Sequence, residues 1–269
     1  MSQRSNYGRV FQEVVSVEAW HSSFDPATKL ATVHADVSFM VAKLGAERDC
    51  PVRFSLSLRR AEVSLIIPDR EPLAVVQSSI AREIGPTGQR TLEITSGHKF
   101  EGKLSAGVDA LSNTPLSLQA SGSLFGDNSA KTSTSLTEKI GPFTVRHFTK
   151  DSAQCWEIFA EDGSSLIGKA WHPVLEPRLK IKKLNDSTLE PSAQLRVRCK
   201  KEDLIISSVS FKSPRILDHM GWQAAKTKEA AAAAYIKSRL VEYDLTPANF
   251  EEEYSIVFLA DSVVSEEIS

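Results

Sequence analysis

Cysteine is scarce in this sequence of 269 residues: Cys50, Cys155 and Cys199 are the only three, and no two stand in a C-x-x-C spacing. An odd number at such distances builds neither a disulfide framework nor a zinc cluster, and it fits a reducing compartment. Long apolar runs are also missing. No window approaches the roughly 18 uninterrupted apolar residues that suggest a membrane helix, and the opening MSQRSNYGRVFQEVV lacks the apolar stretch of a signal peptide. An excess of one charge is absent as well: 32 Lys and Arg stand against 34 Asp and Glu, a formal net charge of -2. The chain as a whole therefore draws in neither nucleic acid nor anionic lipid, and a charged partner has to be met by a local patch. A soluble, cytoplasmic protein is the expectation.

Catalytic signatures are lacking too. The sequence contains no G-x-S-x-G, no H-E-x-x-H and no cysteine in a recognisable catalytic context. GSSLIGKA, residues 163 to 170, satisfies the G-x-x-x-x-G-K part of a phosphate-binding loop and then fails. Ala170 stands where Ser or Thr would ligate magnesium, and Trp171-His172-Pro173 does not open a helix. The same letters suit a hairpin, with Glu161-Asp162-Gly163 as the turn and Leu166 to Trp171 as the return strand. The six histidines are scattered singly. His147 and His172 attract most interest, since each stands at a strand end near an acid, Asp151 and Glu176 respectively. No catalytic residue, metal ligand or cofactor is expected from these patterns.

What is present is alternation with a period of two. VVSVEAW (14 to 20), ATVHADVSFMVA (31 to 42) and VRFSLSLRRAEVSLII (52 to 67) trade apolar for polar residues as half-buried strands do, and SSFDPAT, GAERDCP and PDREP supply the turns between them. PLAVVQSSIAREIG (72 to 85) is ambiguous and is read as a short helix, with Val75, Ile80 and Ile84 on one face. In KFEGKLSAGVDA, Phe100, Gly102, Leu104, Ala106, Val108 and Ala110 alternate with polar residues. Residues 116 to 125 repeat the pattern after the turn LSNTP, so 98 to 126 reads as an amphipathic β-hairpin, with 127 to 139 as a connecting segment.

After Gly141-Pro142 the β signal restarts: FTVRHFT, CWEIFAE, SLIGKAW, PRLKIKK, AQLRVRC and DLIISSVSFK are six candidate strands separated by turn-rich segments. GWQAAKTKEAAAAAYIKSRLVEY (221 to 243) is rich in helix formers with no proline inside, and Trp222, Ala225, Ala232, Ile236, Leu240 and Tyr243 fall near one face. YSIVFLA (254 to 260) reads as a last strand. The expected fold is mainly β: antiparallel, sandwich-like units with one long C-terminal helix packed on a sheet. The expected organisation is an N-terminal β-rich domain or half-sandwich, 1–140, followed by a C-terminal one, 141–269, carrying the helix and an acidic tail.

Charge placement is the most specific functional signal. In RLKIKK and QLRVRCKK the alternation puts Lys180, Lys182, Arg196, Arg198 and Lys200 on polar faces. Paired as a hairpin, the two segments would make one basic plate for an anion or an acidic partner. The tail from Glu242 to Ser269 contains no Lys or Arg and would be placed to cover that plate. Neither basic segment contains an aromatic residue, which disfavours single-stranded nucleic acid. The leading expectation is a non-enzymatic β-rich binding or structural protein whose partner is another protein or a second copy of itself. The alternatives are membrane action through the 98–126 hairpin, whose strands are long enough for a barrel, and an enzyme whose site is assembled from distant strands.

Overall fold

A computed structural model describes residues 10–47, 50, 52–85, 141–185, 192–211, 224–247 and 249–267. The hairpin expected over 98–126 and its connection 127–139 lie outside these residues, as does Trp222. In chain order the elements are β1 (Val15–His21), β2 (Leu30–Phe39), β3 (Ala42–Leu44), β4 (Val52–Leu58), β5 (Arg60–Ile66), β6 (Leu73–Val75), β7 (Glu83–Ile84), β8 (Thr144–Lys150), β9 (Ala153–Phe159), β10 (Gly168–Lys169), β11 (Leu179–Lys183), β12 (Ala193–Lys200), β13 (Leu204–Phe211), α1 (Ala224–Glu242) and β14 (Ile256–Glu266). Among the described residues the protein is mainly β with a single α-helix against a sheet, as the alternation and the alanine-rich segment predict.

An eleven-stranded sheet runs in the order β6-β11-β2-β1-β14-β12-β5-β9-β8-β7, with β10 also paired to β2, and a three-stranded sheet runs β13-β4-β3. Pairing is antiparallel except between β1 and β14, which run parallel. Strands from both sides of Gly141-Pro142 alternate within the large sheet, β5 lying between β9 and β12. Both sheets and α1 contribute to one contiguous apolar core, from Val17 and Val37 through Leu56 and Leu58 to Trp156, Leu195 and Ile236.

The 52–67 segment, expected as one strand, is instead two, β4 and β5, and shows how the chain passes from one sheet to the other. Val52, Phe54, Leu56 and Leu58 are buried at even positions, Ala61, Val63 and Leu65 at odd ones. The phase slips at Arg59-Arg60, both exposed, where β4 of the small sheet ends and β5 of the large sheet begins. A bend there keeps the apolar side chains of both strands on the shared core.

α1 packs on β13 and β4, burying Ala232, Ile236 and Leu240 and setting Tyr235 edge-on to Phe54 at 5.5 Å. Tyr243, placed on that face by its spacing, is exposed instead, because the helix has ended at Glu242.

Two local expectations are corrected. Residues 72–85 form not a helix but the edge strand β6, a 3-10 turn at Gln77–Ser79 and the short strand β7. β11 draws this segment into the sheet: Val76 N–H donates to Lys180 O at 2.9 Å, Lys180 N–H donates to Ser79 Oγ at 2.7 Å, and Ala81 N–H donates to Arg178 O at 2.9 Å. Backbone groups bonded across strands are unavailable to a helix. The second correction concerns 163–170. The turn forms as expected, with Gly163 at φ +70° and Ser164 N–H donating to Asp162 Oδ1 at 2.9 Å. The return segment does not pair with β9, whose two edges are taken by β5 and β8. It crosses to β2 as β10, Gly168 opposite Phe39 and Lys169 opposite Ser38.

Candidate partner-binding site

The expected basic plate is divided. β11 pairs with β2 and β6, β12 with β14 and β5, so β2, β1 and β14 stand between the two basic strands. The hairpin expectation fails because each strand finds its partners far away in sequence. Lys180 and Lys182 are exposed near one end of the large sheet, and among the described residues neither makes an ion pair. Arg196, Arg198 and Lys200 stand on β12, within the other half.

Register then places acids beside the β12 cations. Arg198 is opposite Glu62 on β5 and Arg196 is opposite Asp261 on β14. Arg198 Nε donates to Glu62 Oε1 at 2.7 Å, and its Nη2 also pairs with that carboxylate. Arg196 Nη2 donates to Gln194 Oε1 at 3.2 Å, and its guanidinium lies 5.7 Å from the Phe258 ring centre. Lys200 Nζ lies 3.0 Å from Glu202 Oε1. The wall continues across β5, β9 and β8: Arg60 pairs with Glu157 at 2.7 Å, and Phe159 has the guanidinium of Arg60 5.2 Å and that of Arg146 5.0 Å from its ring centre. The result is a checkered wall of opposite charges rather than a basic plate. The acidic tail does not lie over it either. Its central part is β14, a strand within the sheet, and Asp261 meets Arg196 from the side.

A hollow interrupts this wall. Its volume is about 120 Å³, and Arg60, Glu62, Phe148, Lys150, Glu157, Arg198, Lys200, Asp203 and Ile256 line it together with Ala61 and Cys199. Asp203 is buried in the 3-10 turn Lys201–Asp203 that joins β12 to β13. Its backbone carbonyl accepts from Arg59 N–H at 2.8 Å, tying the turn to the bend between the two sheets. Burial raises the Asp203 pKa against the opposing pull of Arg60, while the hydrogen bond to Glu157 holds Arg60 more firmly cationic. Lys150 and Ile256 are exposed at the rim. The hollow thus combines four cations, three carboxyls, of which that of Asp203 has a raised pKa, and the apolar side chains of Ala61, Phe148 and Ile256.

Two expected candidates, Arg198 and Lys200, line this hollow. Arg196 lies further along β12, and Lys180 and Lys182 are at the far end of the sheet. Sequence reading missed Arg60, Lys150, Glu157 and Asp203, which come from three strands and a turn with no common motif. The Arg59-Arg60 phase slip was the one visible sign that this region is a corner.

The other reactive groups serve the fold. His147 meets Gln154 Oε1 through Nε2 at 2.9 Å and leans on Trp156. His172 Nδ1 accepts from Val174 N–H at 3.2 Å and from Leu175 N–H at 3.0 Å, while Glu176 accepts from the His172 backbone at 2.8 Å. Those bonds cap a turn. Burial pushes the Cys155 and Cys199 thiols up, away from the thiolate. Among the described residues no three His, Cys, Asp or Glu side chains converge as a metal site, and no helix is long and apolar enough to cross a membrane. No protein-family model matches the chain, and no curated protein matches it in sequence.

Proposed function

We propose that this chain is a non-enzymatic binding protein that engages a protein partner through the checkered wall, with the hollow taking one acidic side chain. The observation that carries the reading is the makeup of the hollow. A volume of about 120 Å³ matches about four water molecules at roughly 30 Å³ each. It falls short of the roughly 300–1,000 Å³ of sites that enclose a substrate or cofactor, and it suits a single side chain. The exposed cations Lys150 and Lys200 offer charge to a carboxylate, and Phe148 and Ile256 offer contact to its methylene groups. The surrounding pairs, Arg60 with Glu157 and Arg198 with Glu62, hold the rim in place and set a pattern of alternating charge. Such a pattern selects among partners and favours none by net charge. Burial of Cys155 and Cys199 suits a reducing, cytoplasmic setting.

Calorimetric titration of the full chain with a glutamate-rich peptide tests this. The expected result is binding that weakens about tenfold or more in the double variant Lys150→Glu, Lys200→Glu and is unchanged in Lys180→Glu, Lys182→Glu. Absence of binding to the wild type, or equal loss in both double variants, overturns it.

A further inference from the structure

The strand edges of the molecule are unequal. Among the described residues the outermost strands β3, β6 and β7 are two or three residues long. Short edges keep sheets from pairing with other chains. β13 is an edge of eight residues, Leu204–Phe211, paired on one side by β4 and by no described residue on the other.

The open side of β13 has a defined bonding pattern. Asp203 O accepts from Arg59 N–H, and Leu204 is opposite Leu58, Ile205 opposite Ser57 and Ile206 opposite Leu56. Alternation along an antiparallel ladder then turns the backbone groups of Ile205 toward β4, and the Leu204 carbonyl and both groups of Ile206 away from it. Leu204 N–H is already used by Lys201 O. Further on, Ser208 adopts φ 52° and the register shifts between Ser207 and Ser210, so the regular open edge is Leu204 to Ser207.

Side chains beside this edge also leave space. Leu204 and Ile206 pack toward the core and, with Glu229, Ala230 and Ala233 of α1, line a groove of about 580 Å³. The alanines make the overhanging helix face thin enough for another side chain to enter beneath it.

We infer that β13 pairs antiparallel with β13 of a second copy of this chain, giving a two-fold dimer with one continuous six-stranded sheet. A two-fold axis at Ile205 sets Ile205 opposite Ile205 of the second copy, and Leu204 opposite Ile206 in both directions. Each Ile206 N–H then donates to Leu204 O of the other copy, so the Leu204 N–H that is already engaged is not needed. Every apolar residue of Leu204-Ile205-Ile206 meets an apolar residue. β13 carries no charge over its whole length, so self-pairing opposes no like charges. Leu204 and Ile206 of the second copy extend into the groove under Ala230 and Ala233. The groove shares no lining residue with the hollow, although Asp203 of the hollow directly precedes Leu204, and the oligomeric state tests the dimer apart from the peptide titration that tests the proposed function.

Sedimentation analysis of the full chain is the test. The wild type is expected at twice the monomer mass in the micromolar range. Ile205 is not among the side chains packed on the core, so Ile205→Lys and Ile205→Glu keep the fold, as circular dichroism checks, and each is expected as a monomer. Mixing the two restores a one-to-one dimer by placing opposite charges on the axis. A wild type that remains monomeric, or a dimer retained in both single variants, overturns the inference.

Discussion

β11 and β12 read almost alike in the sequence, LKIKK and AQLRVRCK, each with apolar residues on one side and cations on the other. Their inner faces are equivalent in the fold: Leu179, Ile181, Leu195 and Val197 are all buried. Their outer faces are not. Beside β11 lies the short edge strand β6, and Lys180 and Lys182 project into solvent. β12 lies between β5 and β14, which bring Glu62 and Asp261 against its arginines. A cation in an alternating strand is thus a solvent-facing residue or half of a cross-strand pair according to its neighbours, and those neighbours lie far away along the chain.

Substitutions can break this comparison at graded cost. The inner faces should respond alike: Ile181→Ala and Leu195→Ala are each expected to cost about 2–5 kcal/mol, read from denaturant unfolding. A large difference between them would show that the two strands do not share one core.

The next effect depends on pH. Asp261 is 6% exposed, one of its carboxylate oxygens has no hydrogen-bond partner among the described residues, and burial pushes its pKa up to about 6 although Arg196 draws it down. An aspartate raised from 3.8 binds its proton more tightly when folded than unfolded. Its contribution therefore disfavours folding above pH 6, and the penalty is relieved as pH falls from about 7 to about 4. Asp261→Asn should be more stable than the wild type at pH 7.5 by about 1–3 kcal/mol. That advantage should shrink as the pH approaches 4 in thermal melts. An advantage that is constant across this range would remove Asp261 as its source.

Outer-face changes should separate the two strands. Arg198→Ala leaves Glu62 partly buried beside β12 without its main cation and is expected to cost about 1–3 kcal/mol. Lys180→Ala should stay within about 0.5 kcal/mol. Equal effects in chemical denaturation would mean that the Arg198–Glu62 pair does no more for stability than an exposed lysine.

The legible part of the fold was the part that depends on local pattern. β1, β2, β8, β9, β11, β12 and β13 were visible as alternation, β4 and β5 only as one continuous strand, and α1 as a run of helix formers, because a strand or helix half buried in one core must carry its period in its own residues. The 72–85 segment was misread because Val75 and Ile80 satisfy a helical spacing, and only the pairing with β11 excludes it. The 163–170 return strand was misread because a tight turn normally leads back to the strand before it, and here β9 already had two neighbours.

By itself, then, the amino-acid sequence determined which residues face inward, where the one long helix runs and the phase slip at Arg59-Arg60 that sends the chain from one sheet to the other. Tertiary structure alone decided that Arg198 meets Glu62, that Lys180 stands apart from Arg196, that a hollow opens beside Asp203, and that β13 has, among the described residues, a strand on one side only. The physical reason is that burial of a strand face is a property of one segment, whereas its hydrogen-bonded neighbours are chosen by competition among all the strands of the chain.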